Sequence, residues 1–194
     1  MPPELILAST SPYRRELLAR LGLPFRCIAP PVDEDTLKQN DLSPQVLAEM
    51  LAEAKAASVA ISHTSAVVIG CDQLAHCEGR ILGKPGSRTD AISQLQSLAG
   101  RRHELITAMV LHCGEQIWRH TDRTSLQMRS LSTPEIAAYV DLDIPFDCAG
   151  SYKLERHGIA LFESIDSQDF SAITGLPLIQ LGTWLRTWGF SLTQ

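Results

Sequence analysis

Four consecutive apolar residues that run directly into a hydroxyl-rich turn place the tightest limit on how this chain can begin to fold. Residues 5–18 read LILASTSPYRRELL. Leu5, Ile6, Leu7 and Ala8 form a continuous apolar run, the pattern of a strand covered on both faces. Ser9, Thr10, Ser11 and Pro12 end it. Ser11 is placed to accept a hydrogen bond from the first helical turn, and Pro12 suits the first helical position because its missing N–H costs nothing there. The spacing therefore predicts a strand whose carboxyl end feeds a helix amino terminus. Free N–H groups, hydroxyls and the guanidinium groups of Arg14 and Arg15 converge where the helix dipole is positive, which makes a site for an anion. An isolated S-P-x-R-R segment is more often a capped helix with a solvated basic turn. The rest of the chain has to decide.

The pattern continues as alternating strands and helices. Residues 24–29 read as a second strand ended by Pro30 and Pro31, and residues 32–35 as an acidic loop. Ser43 and Pro44 open a long helix with Leu47, Leu51 and Ala54 on its apolar stripe and with Glu53 and Lys55 off it. Residues 66–70 (AVVIG) are a buried strand that ends at Cys71, Asp72 and Gln73, and residues 78–80 turn the chain back. A short helix is expected over residues 88–98. A hairpin follows, with strands over residues 103–113 and 116–128 joined at Gly114 and Glu115. Ser132 and Glu135 have capping-box spacing and open a helix ending near Asp141. Residues 147–155 read as a loop, residues 158–163 as a strand, and the segment from Leu178 as a final helix. Early alternation with a late hairpin points to an α/β fold with a mixed sheet covered by helices.

At 194 residues the chain can bury a substantial core, and its length fits one large domain or two closely joined lobes. A formal charge of −5 argues against a general binder of nucleic acid or of membrane surfaces, which would need a basic face. No apolar run approaches the roughly 20 residues needed to span a bilayer, and the start lacks a basic-then-apolar signal pattern, so a cytoplasmic location is expected. The five cysteines, Cys27, Cys71, Cys77, Cys113 and Cys148, form no C-x-x-C pair and read as small buried residues.

Against this background the charged residues at turns stand out. Arg14, Lys55 and Lys84, with Ser9 and Ser11, could surround several phosphates, while Glu34 and Asp72 offer the oxygen ligands that Mg²⁺ prefers. Phosphoanhydride cleavage needs that pairing, because its transition state spreads negative charge over phosphoryl oxygens and a metal ion both neutralises it and activates water. The P-loop pattern G-x-x-x-x-G-K-[ST] does not occur, so the usual NTPase architecture does not apply.

The ordered set ASTSPYRRELL, VDE (residues 32–34), EAKA (53–56), GCDQ (70–73), GKP (83–85), CAGSYKLE (148–155) and GLPL (175–178) resembles the Maf family of nucleoside triphosphate pyrophosphatases over nearly the whole chain. The resemblance implies a two-lobed fold with an elongated mixed sheet, similar to inosine triphosphate pyrophosphatases, and one domain over residues 1–194 with a deep nucleotide cleft. It also implies a divalent cation, Mg²⁺ or Mn²⁺, frequent homodimers, and hydrolysis of a nucleoside triphosphate to its monophosphate and diphosphate. By the same resemblance Asp72 matches the proton acceptor and Ser11 with Arg14 the S-x-x-R phosphate motif. Glu34, Lys55 and Lys84 match other polar cleft positions, with Glu34 and Asp72 as metal ligands.

Three specificity positions of the family fall on Tyr13, Gln73 and Glu155, and this set resembles the subfamily acting on 7-methyl-GTP. The subfamily acting on dTTP and UTP typically has Arg, Lys and Gln there. Methylation at N7 gives guanine a delocalised positive charge, so the face of Tyr13 can add a cation–π contribution of about 0.5 to 2 kcal/mol. Glu155 can accept from the guanine N1–H and exocyclic amino group and complements the cation. Two alternatives stay open at this point: a dTTP/UTP pyrophosphatase of the same family, and a nucleotide-binding regulator of cell division with weak catalysis.

Overall fold

A computed structural model describes residues 2–38 and 42–192. The fold is α/β, with a mixed seven-stranded sheet flanked by helices. In chain order the elements are β1 (Leu5–Ala8), α1 (Pro12–Ala19), β2 (Arg26–Cys27), α2 (Glu34–Lys38), α3 (Pro44–Ala60), β3 (Val67–Cys77) and β4 (Arg80–Leu82). They continue with α4 (Arg88–Leu98), β5 (Arg102–Cys113), β6 (Gln116–Met128), α5 (Thr133–Asp143), β7 (Phe162–Asp166), α6 (Phe170–Ile173) and α7 (Leu178–Thr187). The strand order is β2-β1-β3-β5-β6-β7, with β4 paired to β3. β1 runs parallel to both β2 and β3, whereas the β3–β4 and β6–β7 pairs are antiparallel. No helix among the described residues is long and apolar enough to cross a membrane.

The chain divides into two compact units. The first comprises the described residues of Met1–Gln73, Thr107–Asp122 and Asp169–Gln194, and the second Leu74–Ile106 and Arg123–Gln168. In the first unit, β1 is covered on both faces. Leu5 and Leu7 enter one apolar cluster with Leu17, Leu18, Ile69 and Met109, while Ile6 and Ala8 enter another with Val59 and Val68. Period-two alternation in a doubly covered strand puts every side chain into a core, which is why all four residues are apolar. Each fully buried Leu or Ile adds roughly 1.5–3 kcal/mol. Gly70 lets α3 approach β3 closely: a Cβ there would stand 2.3 Å from the Ala52 carbonyl oxygen and 2.5 Å from the Ala56 nitrogen. In the second unit, α4 and α5 pack against each other. Ser87 Oγ caps α4 at the Asp90 N–H, and the Ser132 N–H donates to Glu135 at the start of α5.

Several boundaries differ from the sequence reading. The strand expected to stop at Gly70 continues as β3 to Cys77, so Asp72 lies within a strand rather than at its end. The acidic loop gives way to α2 at Glu34, where Asp33 accepts from the Asp35 and Thr36 N–H groups and caps the turn. The second strand shrinks to Arg26–Cys27, and Cys27 is exposed rather than buried. His157–Leu161 is a 3-10 turn followed by β7, because the Gly158 N–H bonds back to the Lys153 carbonyl and breaks the expected strand 158–163. Lys55, expected off the apolar face of its helix, is buried. Carboxylate partners, not helix periodicity, decide its position.

Candidate active site

In the first unit β1, α1, α2, α3 and β3 bring most of the candidate polar residues together. Lys55, at the start of the fourth turn of α3, reaches β3 where Gly70 lets the helix come close. Its Nζ donates to Asp72 Oδ1 at 2.6 Å and lies 2.7 Å from Glu34 Oε1. The Lys55 and Asp72 side chains are about nine-tenths buried, at 8% and 9% exposure, while Glu34 is 38% exposed. A buried charge is tolerated only when paired, and one ammonium flanked by two carboxylates satisfies that condition. Asp72 Oδ2 makes no hydrogen bond to the described residues, so one carboxylate oxygen is fixed and the other is left to accept a further hydrogen bond.

The turn after β1 has the geometry expected from its sequence. Ser11 Oγ accepts from the Arg14 N–H at 3.4 Å, and the buried Ser9 offers its Oγ to the Ser11 N–H at 3.1 Å. Pro12 opens α1. Tyr13 is half-buried in the first helical turn, and Arg15 is exposed.

Arg14 is oriented by a feature the sequence reading missed. Its Nε donates to the Gly175 carbonyl at 2.9 Å, and Cys71 Sγ donates to the same oxygen at 3.0 Å. Nε is thereby committed to the protein. Gly175 holds φ at +110°, a conformation that other residues rarely adopt. Asp169 braces the segment: its carboxylate accepts from the Ser171 N–H at 2.9 Å and the Ile179 N–H at 2.8 Å. Burial pushes the Cys71 thiol up to about 11, the nearby Arg14 charge only partly opposing this, so Cys71 remains a neutral thiol rather than a nucleophile.

Gln73 is held as firmly. Its Nε2 lies 2.9 Å from Thr107 Oγ1, 2.8 Å from the Ala172 carbonyl and 3.0 Å from the Ile173 carbonyl. Thr107 Oγ1 in turn donates to the Ala172 carbonyl at 2.9 Å. Two carbonyls demand the donor end of the amide, which leaves Oε1 as the acceptor end. The signal in the sequence was Thr107 itself, a lone hydroxyl in the buried run LITAMVL.

Lys84 and Glu155 belong to the second unit, where both are exposed. Lys84 sits in the connection between β4 and α4. Glu155 follows four buried residues, 151–154, and is described further below. Among the described residues, no three His, Cys, Asp or Glu side chains cluster as a metal site. Glu34 and Asp72 each set one oxygen against the Lys55 ammonium. Two hard oxygen donors fit Mg²⁺ or Mn²⁺, ions that keep waters and take phosphate oxygens to complete their shell. Elsewhere in the first unit, a cavity of about 520 Å³ at the start of β1 is lined by Leu23, Phe25, Arg26 and Phe190, among others. None of the candidate residues borders it.

A family profile described as Maf-like protein matches residues 4–188, through both units and every candidate residue. The chain belongs to the Maf family. A Maf relative from Bdellovibrio bacteriovorus, named 7-methyl-GTP pyrophosphatase, is 52% identical over 183 residues, covering 94% of this chain and 96% of that protein. A protein of the same name from Xanthomonas oryzae pv. oryzae is 48% identical, covering 99% of this chain and all of that protein. A third, from Albidiferax ferrireducens and again so named, is 45% identical over 97% of this chain and 95% of its own.

Proposed function

We propose that this chain hydrolyses 7-methyl-GTP to 7-methyl-GMP and diphosphate, removing a modified nucleotide. The observation that carries the reading is the Glu34–Lys55–Asp72 cluster, a strand carboxylate with one oxygen fixed by a buried ammonium and the other left to accept. Its supports are membership of the Maf family and similarity to the three relatives named for this activity.

In the reaction, water attacks the α-phosphorus, the bond from that phosphorus to the α,β-bridging oxygen breaks, and diphosphate leaves. Asp72 orients the water through Oδ2 and takes its proton as the new P–O bond forms. Lys55 keeps Asp72 in place and offsets the charge that Glu34 and Asp72 bring to the site. Arg14 turns its terminal nitrogens to the phosphate chain, with Nε anchored on Gly175, and Ser9 and Ser11 shape the turn that receives it. Lys84 is assigned to the phosphates as well. Glu34 and Asp72 would hold the divalent cation, which supplies charge neutralisation at the phosphoryl oxygens when bound.

The base is read by Tyr13, Gln73 and Glu155. Tyr13 stacks on the cationic purine, Gln73 presents Oε1 to a donor, and Glu155 accepts from the guanine N1–H and amino group. The test is initial-rate release of diphosphate from 7-methyl-GTP, GTP, dTTP and UTP with Mg²⁺ or Mn²⁺. The reading requires the highest kcat/KM on 7-methyl-GTP and erosion of that preference by Glu155→Gln. Equal or greater efficiency on dTTP or UTP would transfer the chain to the pyrimidine class. Saturable nucleotide binding without diphosphate release would make it a nucleotide-binding regulator.

A further inference from the structure

Glu155 is the first residue of an exposed tip, Glu155, Arg156 and His157, that stands between buried residues 151–154 and buried Gly158. The two sides of the tip are tied to two side chains of α5, one on each side. On one side the Lys153 N–H donates to the Tyr139 hydroxyl at 2.8 Å. On the other, the His157 N–H donates to Asp143 Oδ2 at 3.1 Å, and His157 Nδ1 lies 2.6 Å from Asp143 Oδ1. Tyr139 and Asp143, the two anchors, lie one helical turn apart on α5. The base of the tip is closed by the Lys153 carbonyl, which accepts from the Arg156 and Gly158 N–H groups at 3.1 and 3.0 Å. A Cβ at Gly158 would lie 2.5 Å from that oxygen, so only glycine fits the closure.

Asp143 is 2% exposed and Tyr139 6%. A carboxylate buried at the end of a helix is costly unless several donors reward it. Here Asp143 is met by the N–H and the ring Nδ1 of His157, the last residue of the tip. A network that served only to finish α5 would have no need to hold backbone on both sides of Glu155. We propose that Tyr139 and Asp143 are positioning residues that present Glu155 to the base of the substrate. This rests on the reading of Glu155 as the base-recognising carboxylate. Fixing the backbone on either side removes the entropy of ordering an exposed loop at each binding event, so the benefit falls on recognition of the base rather than on the chemical step.

The experiment measures kcat and KM on 7-methyl-GTP and dTTP for the unmodified enzyme, Tyr139→Phe, Glu155→Gln and the double variant. Tyr139→Phe keeps the ring and removes the hydroxyl that accepts from the Lys153 N–H. The expected result is a rise of about five-fold in KM for 7-methyl-GTP, the worth of one hydrogen bond, with kcat within about two-fold and dTTP kinetics unchanged. The double variant is expected to be no worse than Glu155→Gln, because the hydroxyl acts through that carboxylate. A purely structural role gives instead an equal loss on both substrates, or a loss that multiplies with Glu155→Gln, and either outcome overturns the proposal. Should Tyr139→Phe yield no folded protein, Asp143→Asn, of the same volume, is read by the same criteria. Should the unmodified enzyme show no preference and Glu155→Gln change nothing, the reading of Glu155 falls and the inference with it. A preference that Glu155→Gln removes and Tyr139→Phe leaves intact rejects the inference alone.

Discussion

Lys55 has more riding on it than any other single side chain of the candidate site. Its ammonium lies between Asp72 and Glu34, and its removal would leave two carboxylates facing each other with one of them buried. Lys55→Ala is therefore expected to lower stability by about 3–5 kcal/mol, the cost of breaking a buried ion pair, read as a shift of the urea midpoint at neutral pH. An unchanged midpoint would mean that the pair is solvated in solution. Arg14 makes a different prediction. A lysine cannot both donate to the Gly175 carbonyl and turn further donors toward a phosphate chain, so Arg14→Lys should raise KM about ten-fold or more with little change in folding stability. These residues were visible in the sequence as charges at turns, but their connections were not. Lys55 read as an off-face helix residue because a 3.6-residue period registers apolar contacts and carries no information about a carboxylate on another element. The hold of Gly175 on Arg14 spans 161 positions in sequence, which no local pattern can reveal.

The pairing of α3 with β3 is the element that sets the site. It depends on Gly70, where an added methyl would fall inside contact distance of the Ala52 and Ala56 backbone. Backbone cannot move aside as a side-chain tip can. Gly70→Ala should thus cost about 1–3 kcal/mol or more through overpacking and reduce turnover by displacing Lys55 from Asp72, measured by thermal melting beside activity. A variant with native stability and activity would show that α3 is free to shift. Strand β1, helix α1 with its Ser11 cap, the long helix α3 and the hairpin of β5 and β6 were legible, because each carries its own periodicity and stop signals. The far half of β3 was not. Its buried residues on both faces erase the alternation, and Asp72 in mid-strand looks like a terminator until its partner Lys55 is placed. Residues 158–161 were misread for a related reason: a short apolar run does not distinguish a strand from a tight turn.

At the scale of the whole chain, stability is expected to depend on pH through the second unit. His103 is buried against Tyr152 and Phe162, its Nε2 3.0 Å from the Tyr152 hydroxyl. Burial, and after it the neighbouring His76, lower its pKa from 6.5 to about 4. The unfolded chain thus takes up a proton near pH 6.5 that the folded chain refuses until about pH 4. The contribution of His103 is complete above this window and is lost as the pH falls through it, a loss of about 3 kcal/mol in full. His103→Phe should flatten that decline relative to the unmodified protein, in urea titrations at pH values spanning the window. Parallel declines would assign the acid sensitivity to other groups. The most direct test of the hydrolytic centre is turnover of 7-methyl-GTP with Mg²⁺ in heavy-oxygen water, comparing the unmodified chain with Asp72→Asn. Attack at the α-phosphorus with Asp72 as proton acceptor predicts 7-methyl-GMP and diphosphate in equal amounts, the label in the monophosphate alone, and a rate lower by about 10² to 10⁴ in the folded Asp72→Asn protein. Label in the diphosphate, or an Asp72→Asn rate equal to that of the unmodified chain, would contradict it.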